Sequence, residues 1–173
     1  STTDEDTNDS HTYELIHGEG DTDNSSFTID GNTLKINSSS DYETQSSYNI
    51  RLKTTDSAGL SYQKAVTLTV NDVNEIPTDI NISLSSFDED IESGSLVATL
   101  STTDQDSGDT HTYEFVDGEG DGDNELFTID GNKLKINESP DYEDQTSYSI
   151  RIRTTDSTDL TFEKSFDLYV NNI

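Results

Sequence analysis

The chain has 173 residues and a net charge of −28, from 37 acidic and 9 basic side chains, with no Cys, Met or Trp. That charge disfavours nucleic acid and anionic membrane faces as partners, because like charges repel. The absence of Cys rules out disulfides and thiolate-held zinc or iron–sulfur clusters. So many carboxylates leave two readings open: a solvated, self-repelling surface, or a site for cations.

Apolar residues recur every second position, the period of a strand. Tyr13 and Leu15 open the series. Phe27 and Ile29, then Leu34 and Ile36, flank Asp30-Gly31-Asn32, a hairpin signal. Tyr48, Ile50 and Leu52 alternate with Asn49, Arg51 and Lys53, and Val66, Leu68 and Val70 follow. The polar stretch Asn71-Asp72-Val73-Asn74-Glu75-Ile76-Pro77 marks a boundary. Beyond it, Ile80, Ile82 and Leu84 read as one strand, and Leu96, Ala98 and Leu100 as the next, after the turn at Ser93-Gly94.

The chain then repeats itself at an offset of one hundred residues. Ser1-Thr2-Thr3-Asp4 returns as Ser101-Thr102-Thr103-Asp104, and Phe27–Asn32 as Phe127–Asn132. Asp41-Tyr42-Glu43 returns as Asp141-Tyr142-Glu143, and Thr54-Thr55-Asp56 as Thr154-Thr155-Asp156. Roughly 60% of the aligned positions are identical, without a gap. Two modules follow: residues 1–77, a truncated repeat with its linker, and residues 78–173, a complete repeat. The complete module has about seven expected strands, which suits a two-sheet Greek-key β-sandwich. The first lacks its first two strands, and the chain reads as a piece cut from a longer protein.

With these motifs in place, the second module resembles a cadherin repeat of the tandem kind found in large bacterial surface proteins. The resemblance rests on Phe87-Asp88-Glu89, Thr103-Asp104-Gln105-Asp106, Asp141-Tyr142-Glu143, Thr155-Asp156 and the linker Asp72–Pro77, in that family's order and spacing. It implies an all-β Greek-key fold and a cluster of Ca²⁺ ions between successive repeats. Carried over, the junction set is Asp41 and Glu43 of module one, Asp72, Asn74 and Glu75 of the linker, and Asp104, Asp106 and Asp156 of module two. The carbonyls of Val73 and Ile76 join them. Two incomplete half-sites are implied at the ends: Asp4, Asp6 and Asp56 at one, and Glu89, Asp141 and Glu143 at the other.

Some residues depart from the family pattern. Glu75 stands for an Asp, Ile76 for an Asn, and Tyr42 and Tyr142 for an Arg. Module one has no counterpart of Glu89, so fewer ions or weaker binding are expected there. The loop Asp117–Asn124 is Gly-punctuated and acidic like a calcium loop, but Thr128 stands where that motif carries its bidentate Glu. It is read as a flexible connection between strands. His11 and His111 are read as surface or hydrogen-bonding residues rather than metal ligands or catalytic groups. The paired carboxylates recur in both modules and have no apolar pocket around them, so a glycosidase is disfavoured, and no enzyme is expected.

The reading is an extracellular, calcium-binding spacer or adhesion module at a cell surface. Its partners are neighbouring repeats of the same protein, with homophilic or polysaccharide contacts as further candidates. The alternatives are a carbohydrate-binding module and a fibre or surface-layer subunit assembled by strand addition. The missing strands also leave an open sheet edge in module one.

Overall fold

The computed structural model describes residues 2–3 and 10–173. Among them there are thirteen strands and two single-turn 3₁₀ helices. The chain divides into two compact units, Ser1–Val73 and Asn74–Ile173. The boundary had been expected after Pro77. Instead Asn74–Pro77 packs with the second unit, where Pro77 is fully buried and Asn74 and Glu75 hydrogen-bond to that unit's own carboxylates.

In the first unit, β1 (Thr12–Leu15), β4 (Ser47–Thr55) and β5 (Ser61–Thr69) form an antiparallel sheet in the order β1-β4-β5. A separate hairpin joins β2 (Phe27–Asp30) to β3 (Thr33–Ile36). Its loop is Gly31-Asn32, and Gly31 takes φ 62, the conformation that a tight two-residue hairpin needs at its first position. Lys35 Nζ reaches Asp30 Oδ2 across the hairpin, at 2.6 Å.

The second unit repeats this plan and completes it. β9 (Thr112–Phe115), β12 (Ser147–Thr155) and β13 (Thr161–Asn171) match β1, β4 and β5. β10 (Phe127–Asp130) and β11 (Lys133–Ile136) match the hairpin. Three strands have no counterpart among the described residues of the first unit. β6 (Asp79–Ile82) and β8 (Leu96–Thr103) extend the hairpin into a four-stranded sheet, β10-β11-β8-β6. β7 (Ser86–Asp88) pairs parallel to β13, giving β7-β13-β12-β9.

Two sheets therefore face each other across one core in the second unit, a β-sandwich. Ile80, Leu100, Leu134, Ile136, Ile150, Ile152 and Leu168 are its buried centre, and Phe87, Phe127 and Tyr148 form an aromatic cluster within it. The all-β expectation holds. Two details differ. The complete unit has eight strands, because the three-residue β7 is too short to show a period. Leu84, assigned to the first of them, lies beyond Ile82, where that strand ends, and is exposed.

The acidic loop Asp117–Asn124 is also not a slack connection. Gly118 N donates to Asp121 Oδ2 at 2.8 Å. Asp123 accepts from Ser149 N and Gln145 Nε2, and Asn124 bridges Val116 O and Arg151 N. The loop is a latch on β12, and these hydrogen bonds occupy the carboxylates of Asp121 and Asp123. Gly118 is needed there: at φ 149, an added Cβ would lie 2.9 Å from Arg151 Nε. Among the described residues no helix is long and apolar enough to cross a membrane.

Candidate metal centre

One end of the second unit gathers the linker residues, the loop after β8 and the end of β12. Asp104 follows directly on β8, and Asp156 directly on β12, so two strands deliver their carboxylates to one pole. A short turn, with Asp109 N donating to Asp106 O at 3.1 Å, folds Asp109 back towards them. Carboxylate oxygens of Asp104, Asp109 and Asp156 all lie within 4.8 Å of one another.

The surroundings fix each group. Asp156 is 6% exposed. Its Oδ1 accepts from the N–H groups of Thr158 and Leu160, and its Oδ2 from Asn74 Nδ2 at 2.8 Å. Burial works against its charge, but the hydrogen bonds from Asn74, Thr158 and Leu160 outweigh it and hold the carboxyl below its ordinary value. Asp104 Oδ2 meets His111 Nε2 at 2.8 Å, which gives His111 the hydrogen-bonding role expected of it. Asp106 accepts from Glu75 N at 2.8 Å. Asp109 Oδ1 accepts from Ser157 Oγ, whereas its Oδ2 is buried with no hydrogen-bond partner among the described residues.

Three carboxylates this close repel one another, and a buried oxygen without a donor is costly. A hard cation with oxygen ligands relieves both, so the donor set fits Ca²⁺. Asp109 was not among the residues singled out in the sequence. Its signal there is only the spacing Asp104-x-Asp106-x-x-Asp109.

A second group sits on the loop after β7 and the segment before β12. Glu89, 8% exposed, has Asp141 and Glu143 beside it, again with oxygens within 4.8 Å. Glu89 accepts from Tyr142 N at 3.1 Å and Ile173 N at 2.8 Å. Asp141 accepts from Glu143 N, and Glu143 from Asn172 Nδ2. The sequence had placed these three in one half-site, and the structure brings them together.

In the first unit, Asp41 accepts from Thr44 N, the Thr44 hydroxyl and Glu43 N, which keep its carboxyl below the ordinary value. Asp56 accepts from Leu60 N at 2.8 Å. Asp72 is exposed. Asp4 and Asp6 lie outside the described residues.

No protein-family model matches the chain. It is 33% identical over 150 residues to mouse protocadherin Fat 4, and 35% identical over 132 residues to human cadherin-24. These matches cover 84% and 68% of the chain. The protocadherin gamma-B4 extracellular domain superposes over 94% of the chain, with a TM-score of 0.66 and 27% identity. The chain is cadherin-like. Repeats EC1-2 of human protocadherin-24 show the same fold, at TM-score 0.67 and 19% identity. The cadherin-like chain spans only 3% of Fat 4 and 16% of cadherin-24. These relatives are cadherins and protocadherins, not enzymes, in agreement with the non-enzymatic reading.

Proposed function

We propose that this chain is an extracellular, calcium-binding pair of cadherin-like repeats that serves as a spacer or adhesion module. The observation that carries the reading is the pole of the second unit, where Asp104, Asp109 and Asp156 converge and Asp109 Oδ2 has no hydrogen-bond donor among the described residues. There Asp104, Asp109, Asp156, Asp106 and the side-chain oxygens of Asn74 and Glu75 would hold the ion. Glu89, Asp141 and Glu143 would hold another. Asp41, Glu43 and Asp72 of the first unit, with the stiffening of successive repeats by Ca²⁺, enter the proposal on the family resemblance alone. So does the bacterial surface setting, the named relatives being mouse and human proteins.

Extracellular modules work at ambient calcium, with Kd about 10⁻⁴–10⁻³ M. Binding to the folded state alone raises stability with ligand concentration. A thermal melt with calcium titrated against a chelator, and magnesium as control, tests the reading. A saturable, calcium-selective rise in Tm supports it, and a flat response overturns it.

A further inference from the structure

The tripeptide Asn-x-Ser occurs at Asn8, Asn24, Asn37, Asn81 and Asn137, never with proline in the middle. In a chain exported from the cell, this pattern is an acceptor for N-linked sugar. Asn8 lies outside the described residues. The structure sorts the others by what their amides already hold.

Asn24 is half-buried and uses both ends of its amide. Its Nδ2 donates to Ile16 O at 2.9 Å, and its Oδ1 accepts from Arg51 N at 2.9 Å. Asn37 and Asn137 are engaged in the same way. Each donates from Nδ2 to a main-chain oxygen, of Ser25 or Glu125, and accepts at Oδ1 from the hydroxyl of Thr28 or Thr128 at 2.7 Å. A sugar on any of these nitrogens crowds a bond that ties a loop to a strand.

Asn81 differs. It stands in β6, the outer strand of the sheet β10-β11-β8-β6 among the described residues. Ile80 is fully buried, so the strand's alternation turns Asn81 outward, where it is exposed. Among the described residues its side chain makes one hydrogen bond, from Nδ2 to the hydroxyl of the exposed Thr103, at 2.9 Å. An amide nitrogen carries two hydrogens. A sugar replaces one, and the other remains for Thr103. Ser83, which completes the tripeptide, is exposed too, and its Oγ accepts from Thr99 N at 2.9 Å. That bond forms only when the segment docks on β8. In the unfolded chain the hydroxyl is free to be recognised, so the sugar is added before folding and the folded unit has to accept it.

We propose that Asn81 is an N-glycosylation site. The inference rests on the extracellular reading of the chain. The co-substrate is an oligosaccharide carried on a polyisoprenyl diphosphate. Asn81 Nδ2 forms a bond to the anomeric carbon, and the bond from that carbon to the diphosphate oxygen breaks. The diphosphate leaves with its lipid, and Nδ2 gives up one proton to a base of the transferase. The sugar then stands beside the outer edge of β6 and shields it from pairing with a strand of another molecule.

The test is secretion of the 173-residue chain from animal cells behind a cleavable leader. Peptide masses are mapped before and after an amidase that releases N-linked sugar and leaves aspartate at the carrier position. Sugar is expected at Asn81 and not at Asn24 in the folded, secreted chain. Asn81→Gln should abolish it, Ser83→Ala should abolish it with Asn81 in place, and Ser83→Thr should keep it. Enzymatic removal of the sugar should not raise the Tm. A bare Asn81 in the secreted chain overturns the proposal, and so does a Tm that rises when the sugar is removed. Secretion with Asn81 bare rejects the site and leaves the extracellular reading standing. The calcium-dependent rise in Tm, measured on the same samples with and without sugar, reads the metal proposal separately.

Discussion

Asn74 and Asp156 stand 82 positions apart in sequence, yet Asn74 Nδ2 lies 2.8 Å from Asp156 Oδ2. This bond ties the segment before β6 to the end of β12. It also satisfies one oxygen of a carboxylate that is almost fully buried. Asn74→Ala leaves that oxygen without its donor, so the second unit should melt several degrees lower in chelator. Differential scanning calorimetry checks this, and an unchanged Tm would show that the bond contributes nothing.

Asp109 should respond in the opposite sense. Its charge lies among those of Asp104 and Asp156, and its Oδ2 has no donor among the described residues. Asp109→Asn removes a like charge and supplies an N–H₂. Stability in chelator should hold or rise, while the gain on adding calcium shrinks. A residue that costs stability without the ion and returns it with the ion acts through ligation. Paired melts in chelator and saturating calcium separate the two effects.

The repeat provides an internal control for packing. Leu134 is fully buried beside β8, whereas Leu34 lines an open groove. Leu134→Ala should cost about 2–5 kcal/mol, the range for a core leucine that leaves a cavity. Leu34→Ala, at a site already open to solvent, should cost less than about 1.5 kcal/mol. Urea denaturation followed by tyrosine fluorescence and by residue-resolved NMR assigns each loss to its unit.

Much of this was legible in the sequence because its signals are periodic or local. The hairpin of β2 and β3 needs only Gly31 and the alternation of Phe27, Ile29, Leu34 and Ile36. Glu89, Asp141 and Glu143 were grouped from the order of their motifs, and the loop after β7 is joined to the 140–143 segment by Tyr142 N bonding Glu89 and Asp90 N bonding Pro140 O. What escaped was set by tertiary structure. β7 is three residues long and pairs in parallel with a strand far along the chain, so no periodicity marks it. Asp109 reaches the metal-like cluster only because a tight turn and the Ser157 hydroxyl hold it there. The latch role of Asp123 depends on Ser149 and Gln145, both more than twenty residues away.

Asp159 is a backbone test. It takes φ 70 in the turn after β12, where the first unit has Gly59 at φ 88. Asp tolerates this left-handed region, while a β-branched residue clashes with its own backbone. Asp159→Val should therefore destabilise the second unit by about 1–2 kcal/mol. Asp159→Gly should stay within roughly 0.5 kcal/mol, because relief of strain offsets the added freedom of the unfolded chain. Equal losses in the two variants would mean that the Asp159 side chain, not its φ, is what matters.

Glu163 gives the pH dependence a sign. Arg153 bonds it through Nε and Nη2, and Arg151 through Nη2 at 2.9 Å. These hydrogen bonds, Arg153 first, hold its carboxyl below the ordinary 4.5, against a smaller desolvation effect. A folded value below the unfolded one means the unfolded chain takes up the proton first as pH falls. The stabilisation is therefore complete above about 4.5 and disappears as pH drops through the folded value. The first unit carries Gln63 at this position, which accepts from Arg51 without a charge. Glu163→Gln should make the second unit resemble the first here: slightly less stable at pH 7, and with a shallower loss between about pH 5 and pH 3. Chemical denaturation at a series of pH values measures the slope. An unchanged slope would show that the arginines leave the proton affinity of Glu163 unaltered.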